Sequence, residues 1–169
     1  MYAAHFAAAL AIKARAPQAP TWALLTGAFI PDFIWVGLGL AGIEPSQGAA
    51  FFDDWSHSLA MVALWATLFA LVFARRGLAV AGPVWLAGAS HFVLDLPIHP
   101  KNLALFPHSA VHLGWNLWSI GPHRYWAVQM VVLVALMLIY AQGARKNRLA
   151  PNLIAASCLT LVGLHAITW

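Results

Sequence analysis

The sequence predicts an all-α protein, a polytopic transmembrane bundle of about six apolar helices that forms a single integral membrane domain over residues 1–169. Hydrophobic residues make up 62% of the chain and charged residues only 8%, whereas soluble domains are about half apolar and about a quarter charged. The apolar residues also fall in long runs, and the basic residues fall in short clusters between those runs. Clusters in that position are typical of the loops that set membrane topology.

Six apolar segments are predicted, with these bounds: residues 2–14, 21–43, 57–74, 78–96, 125–142 and 151–168. As a helix the second segment would be roughly 34 Å long, enough to cross the hydrocarbon core of a bilayer. The first is short for a span, so we expect it to be half-spanning or to lean across the bundle. No basic residue precedes it, and no cleavable signal peptide is expected. The single Cys158 excludes an intrachain disulfide.

The basic residues predict an orientation in the membrane. Seven of the nine Lys and Arg residues follow the first, third and fifth segments, in alternate loops: Lys13, Arg15, Arg75, Arg76, Arg145, Lys146 and Arg148. By the positive-inside rule these loops are cytoplasmic, and the loops at 44–56 and 97–124 face outward with both termini. We therefore expect a multi-pass protein of the bacterial inner membrane. The charge pattern gives no indication of nucleic-acid binding.

Several ionisable residues lie in or at the end of the apolar segments: His5, Asp32, His57, His91 and Asp95. Such residues are costly in a membrane and are functional-site candidates by default. The predicted topology brings all of them to the outer half of the bundle, although Lys and Arg alone define that topology. Imidazoles mixed with carboxylates are a suitable donor set for a divalent metal.

His91 and Asp95 form an H-x-x-x-D pair, whose spacing places both side chains on one helix face. A metal could bind both residues, or Asp95 could orient His91; the alternative is a buried hydrogen-bonded pair that stabilises a helix contact. Asp32 follows Pro31, which is expected to kink or break the second helix. Asp32 could equally form a structural pair with a histidine or with Arg124.

The run D-D-W-S-H-S, residues 53–58, predicts a helix start at a membrane interface. Ser56 is expected to cap the third helix, with His57 in its first turn. Asp53 and Asp54 suit the positive end of a helix, and Trp55 suits the aromatic belt. None of these roles explains His57, which therefore stays a site candidate.

The other histidines divide by position. His99, His108 and His112 lie in the outer loop, where histidines are commonly just solvated, and the last two are four residues apart if that stretch is helical. His123 stands at an expected helix start, and His165 in the last segment is expected to be structural. His5 taken alone is an ordinary polar residue near a terminus.

In this order, the residues resemble the bacterial membrane-bound metal-dependent hydrolase family and, more distantly, zinc-dependent phospholipase C. The shared order is an early His, then G-x-x-x-P-D, S/T-H-S and H-x-x-x-D, here His5, residues 27–32, residues 56–58 and residues 91–95. The stretch S-H-F-V-L-D-L-P-I-H-P also resembles a group of small bacterial membrane proteins in which a further His follows the Asp, which adds His99. The resemblance covers roughly residues 1–120.

The resemblance implies a hydrolase of a membrane lipid ester or phosphoester that uses a divalent metal, zinc in the first place. The implied metal ligands are His5, Asp32, His57, His91, Asp95 and His99, with Asp32 and Asp95 as the catalytic carboxylates. The chain departs from the family pattern at three places. Ile34 stands where P-D-x-D has its second Asp, no His-Arg pair precedes Ser56, and Lys101 and Asn102 occupy the stretch where an Asp commonly follows the later His. The missing carboxylates weaken the case for a two-metal site.

Two other functions are compatible with intramembrane histidines. One is a non-enzymatic subunit of a larger membrane complex, bound to another membrane protein or to a second copy, whose histidines ligate haem or a pigment or serve structure. Haem sites contain little carboxylate, so Asp32 and Asp95 argue against that reading. The other is a proton-coupled or metal transporter. The sequence shows no internal repeat, which argues against a transporter.

Overall fold

Helices form almost all of the regular structure in the part of the chain that the computed structural model describes, residues 2–44, 52–148 and 151–167. The eight α-helices are α1 (Tyr2–Arg15), α2 (Thr21–Ala28), α3 (Ile30–Leu40), α4 (Asp54–His57), α5 (Leu59–Leu71), α6 (Leu78–Asp95), α7 (Pro122–Lys146) and α8 (Pro151–Ile167). A two-residue antiparallel hairpin, β1 (Leu103–Ala104) with β2 (His112–Leu113), lies between α6 and α7. The all-α prediction is confirmed.

The second apolar segment is broken as its proline predicted. The axes of α2 and α3 differ by 53°, and the break lies at Phe29, where the backbone leaves the helical region with φ −110° and ψ 7°. Pro31 occupies the first turn of α3, where a residue without a backbone N–H is tolerated. Asp32 follows it in the same turn, so the bend aims the carboxylate into the bundle.

The prediction of about six membrane spans is wrong. By length and composition, two described helices are long and apolar enough to cross a membrane, α6 and α7, and a third crossing results if the bent pair α2 and α3 counts as one span. Helix α5 has only 13 residues, which is roughly 20 Å of helix against a hydrocarbon core of about 30 Å. As expected, α1 is also short, with 14 residues.

The third segment is short because its predicted start lies in another helix. His57 ends the single turn α4, and the backbone is extended at Ser58, with φ −63° and ψ 152°, before α5 begins at Leu59. The prediction that Ser56 caps the long helix is therefore wrong. The predicted outer loop at 44–56 is described only at residues 44 and 52–56, and residue 168 of the sixth segment lies outside the described residues.

Small residues let the helices approach closely, as is common in membrane bundles. Helix α1 packs on α2 and α6 in a cluster rich in buried alanines. It packs on α7 and α8 in a second cluster, to which it contributes Ala7, Ala11 and Ala14. A Cβ added at Gly88 of α6 would lie 2.7 Å from the Cβ of Ala66 in α5, and one at Gly143 of α7 would lie 2.9 Å from the Cβ of Ala14 in α1. Many large apolar side chains point outward, and Leu78 is 88% exposed.

The bundle has two chemically different ends. Asn147 after α7 donates to the carbonyl of Ala14 near the end of α1, and Gln18 donates 2.8 Å to the carbonyl of Ala79 at the start of α6. The basic clusters at 13–15, 75–76 and 145–148 therefore gather at this end. His5, Asp95 and His123 lie at the opposite ends of the same three helices.

Candidate metal centre

The structure brings all six predicted ligands together at that second end of the bundle. The start of α1 supplies His5, the first turn of α3 supplies Asp32, α4 supplies His57, the last two turns of α6 supply His91 and Asp95, and the segment after α6 supplies His99. Five distances of 3.1–3.9 Å join a histidine Nε2 atom to a carboxylate oxygen in this cluster. All six residues also line one cavity.

The tautomer of the neutral His91 ring follows from its second ring nitrogen. Nδ1 lies 2.8 Å from the carbonyl oxygen of Ala28, the last residue of α2. A carbonyl can only accept, so Nδ1 carries a hydrogen and the Nε2 atom of the neutral ring carries a lone pair. That Nε2 atom lies 3.1 Å from Asp95 Oδ2 and 3.8 Å from Asp32 Oδ1.

Ser56 supports the same tautomer in His57. Ser56 Oγ lies 3.0 Å from the carbonyl oxygen of Asp53 and 2.7 Å from His57 Nδ1. When Nε2 of His57 carries the lone pair, as metal binding requires, Nδ1–H donates to Ser56 Oγ, whose own hydrogen goes to the carbonyl of Asp53. Nε2 lies 3.4 Å from Asp32 Oδ1.

Two imidazole lone pairs thus converge with a carboxylate oxygen of Asp32, which is an arrangement of acceptors that repel one another. A proton on a ring or a cation among the three atoms relieves the repulsion. The spacing suits the cation, because neighbouring ligand atoms around a tetrahedral zinc with bonds of about 2.0–2.1 Å are about 3.3 Å apart. A metal-ligating histidine that donates its other N–H to a carbonyl or a polar side chain is also the usual arrangement. His57, His91 and Asp32 can therefore hold a metal ion.

A second group of donors adjoins the first. His5, His91 and Asp95 also have ligand atoms close enough to share an ion, and all three side chains are buried. His5 Nε2 lies 3.2 Å from Asp95 Oδ1, and the His5 ring stacks on the His91 ring with centroids 4.1 Å apart. Both groups need His91 Nε2, which can bind one ion only. They are therefore two adjoining positions for a single ion rather than two full sites.

His99 lies at the edge of the cluster and belongs to neither group. Its Nε2 atom is 3.9 Å from Asp95 Oδ2. Burial lowers the pKa of His99, so its ring is neutral at physiological pH and has a lone pair available.

Three buried polar atoms of the cluster have no hydrogen-bond partner among the described residues: Asp32 Oδ2, His5 Nδ1 and His91 Nε2. Buried polar atoms in native proteins nearly always have a partner, so unsatisfied ones mark places where a ligand or water belongs. All three atoms belong to the predicted site residues.

Glu44 is a positioning residue that the sequence did not reveal. Its side chain is fully buried, and Oε1 accepts hydrogen bonds from the backbone N–H groups of Trp55 at 2.6 Å and Ser56 at 3.0 Å. It thereby occupies the N-terminus of α4 and fixes the turn that carries His57. Nothing in its local sequence indicates this role, because the contact joins residues 11 and 12 positions apart.

The cluster forms one wall of a cavity of about 840 Å³, a size typical of small-molecule sites. Asp53 also lines the cavity, and burial raises its pKa to about 6. Helices α7 and α8 contribute further lining residues, among them Trp126, Gln129 and His165. His165 stacks on Trp126 with centroids 5.7 Å apart, so the residue expected to be structural also faces the cavity.

His108 and His112 stay outside the metal centre. The stretch between them is a hairpin rather than a helix, so they do not share a helix face. His108 has a φ of 62°, and its backbone N–H donates to Asp54 Oδ2 at 2.8 Å. The two histidines line a separate pocket of about 420 Å³ with Lys101 and Asn102.

Comparison with known proteins identifies no relative of this chain. No protein-family model, curated protein or solved structure matches the chain.

Proposed function

We propose that this protein is a zinc-dependent hydrolase of the bacterial inner membrane that cleaves an ester or phosphoester of a membrane lipid. The observation that carries the proposal is the convergence of His57 Nε2, His91 Nε2 and Asp32 Oδ1 at the wall of a large cavity. This donor set, with a cavity beside it that leaves room for water and substrate, is typical of a catalytic rather than a structural metal site.

His57, His91 and Asp32 are the ligands in this proposal, and Asp95 with His5 forms the adjoining position. The zinc ion would lower the pKa of a water molecule to about 7 and polarise the substrate oxygen. Asp32 Oδ2, which is buried and has no hydrogen-bond partner among the described residues, would receive the proton from the attacking water. That proton would then pass to the oxygen of the leaving alcohol. Asp95 holds the His5 and His91 rings in place and is the second candidate base.

The membrane setting is proposed from the surface of the bundle. Helices α6 and α7 are long and apolar enough to span, and the large apolar side chains on their outer faces suit lipid. The basic clusters lie at the end of the bundle opposite to the metal centre. The positive-inside rule would place that end in the cytoplasm and the cavity in the outer leaflet, where membrane lipids are the nearest substrates.

A hydrolysis assay on protein in a mild maltoside detergent tests the proposal. We expect release of p-nitrophenol from short-chain p-nitrophenyl esters or from bis-p-nitrophenyl phosphate, loss of release after chelation, and recovery when zinc is added. His57→Ala and His91→Ala should abolish the activity, whereas His112→Ala, a change of an exposed histidine outside the cluster, should leave it unchanged. Activity that survives chelation or either cluster variant would contradict the proposal. A Soret band with copurifying subunits would favour the non-enzymatic alternative.

A further inference from the structure

The cavity has an unusual balance of charge for a site beside a metal. Its acidic lining residues are Asp32, Asp53 and Asp95, and the described residues that line it include no Lys or Arg. Lys101 lies in the neighbouring pocket instead. The cationic side chains that commonly hold phosphate groups in proteins are therefore missing from this wall.

A divalent ion would not reverse this balance. The lining contains three carboxylates, and the formal charge of one divalent ion offsets only two of them. An anionic phosphoester would bring a further negative charge into a half-buried site of low dielectric constant, where like charges repel more strongly than in water. A neutral ester encounters no such repulsion.

The rest of the lining suits an uncharged amphiphile. Apolar and aromatic side chains form most of it, among them Phe6, Trp35, Trp126, Leu161 and Leu164. Gln129 of α7 adds an amide that can donate and accept hydrogen bonds without carrying charge. An acyl chain can lie on the apolar wall while an ester group reaches the metal centre.

We propose that the cavity selects a neutral acylglycerol-type ester over an anionic phosphoester. This inference rests on the proposed function, since it decides between the carboxylic ester and the phosphoester that the proposed function allows. It also assigns Gln129 as an uncharged position of the cavity lining, where the lack of a cation disfavours the phosphate.

Isothermal titration calorimetry with two matched probes tests the selection. Dihexanoylglycerol and dihexanoylglycerol 3-phosphate differ in the phosphate group alone, and both are titrated at about pH 7.5 into zinc-loaded protein in a neutral detergent. We expect the neutral probe to bind at least about 10-fold more tightly, which is about 1.4 kcal/mol. Equal or tighter binding of the phosphate probe would overturn the inference.

A charge variant tests the location. Gln129→Lys places a cation on the cavity wall and should move the affinity ratio toward the phosphate probe by about 10-fold, since opposite charges in one cavity attract appreciably at the effective dielectric constant of a protein. Gln129→Met, of similar size and without charge, should leave the ratio unchanged. An unchanged ratio in Gln129→Lys would show that the probes bind elsewhere, which contradicts the inference.

The outcome separates this inference from the proposed function. Hydrolysis that depends on zinc but prefers the phosphoester would leave the proposed function intact and overturn the selection. A neutral-probe preference in a protein that holds no metal and hydrolyses neither class would support the selection and overturn the proposed function.

Discussion

Ser56→Ala should weaken zinc binding about 10- to 100-fold, because this substitution removes the partner that fixes the tautomer of His57. Ser56 Oγ is fully buried and lies 2.7 Å from His57 Nδ1. Its loss leaves a buried N–H without an acceptor and frees the ring to place its lone pair on Nδ1, away from Asp32. A buried donor without a partner costs about 1–3 kcal/mol, which corresponds to the same range of affinity.

Competition with a chromophoric chelator at about pH 7.5 measures this affinity, and the chain offers a matched control two residues away. Ser58 Oγ is equally buried but has no hydrogen-bond partner among the described residues, so Ser58→Ala removes the same atom without removing a bond. We expect Ser58→Ala to keep the wild-type affinity. Equal affinities for the two variants would refute the assignment of the His57 tautomer and its role.

Three further predictions concern the supports of the site. Glu44→Ala should lower the stability of the fold by about 1–3 kcal/mol and weaken zinc binding, because two backbone N–H groups of α4 lose their acceptor. Glu44→Gln keeps an acceptor oxygen and should recover most of the stability in thermal unfolding and most of the zinc affinity in chelator competition. A Gln variant as impaired as the Ala variant would contradict this. Gly88→Ala should destabilise the contact between α5 and α6 by about 1–3 kcal/mol in a denaturant titration, because its Cβ would meet the Cβ of Ala66 at 2.7 Å. A Cβ at Gly37 has no neighbour within 4 Å, so Gly37→Ala should be neutral or slightly stabilising in the same titration. Equal effects of the two substitutions would refute the close approach of α5 and α6. Burial raises the pKa of Asp53 to about 6 from an ordinary value of 3.8, so the folded state binds the proton more tightly and loses stability as pH rises from about 4 to about 6. In metal-free protein, Asp53→Asn should therefore raise the melting temperature relative to wild type at about pH 7 and raise it much less at about pH 4. An identical difference in melting temperature at both pH values would contradict the role of burial.

The parts of the site that sequence could predict depend on local geometry. His91 and Asp95 share a face because an i, i+4 spacing on any helix requires it. The break before Asp32 follows from the missing backbone donor of Pro31. The grouping of distant residues at one end followed from the alternation of basic loops, which assigns each helix a direction.

The parts that sequence could not predict depend on contacts between distant segments. Apolar composition alone does not distinguish a full span from a short helix. The third segment also loses its predicted start to the separate turn α4, whose first N–H groups bond to Glu44, so that α5 begins at Leu59. The tautomers of His57 and His91 depend on Ser56 and on the carbonyl of Ala28, and the second of these is 63 residues from its partner. No local pattern places His165 in the cavity, since only the packing of α8 on α7 brings it there.

Elemental analysis of the purified protein tests the central claim most directly. Protein purified in a mild detergent and dialysed against dilute zinc should hold about one zinc ion per chain, because both donor groups share His91 Nε2. His57→Ala and His91→Ala should lose the ion, whereas His112→Ala should retain it. Zinc content unchanged in both cluster variants would contradict the assignment of this site.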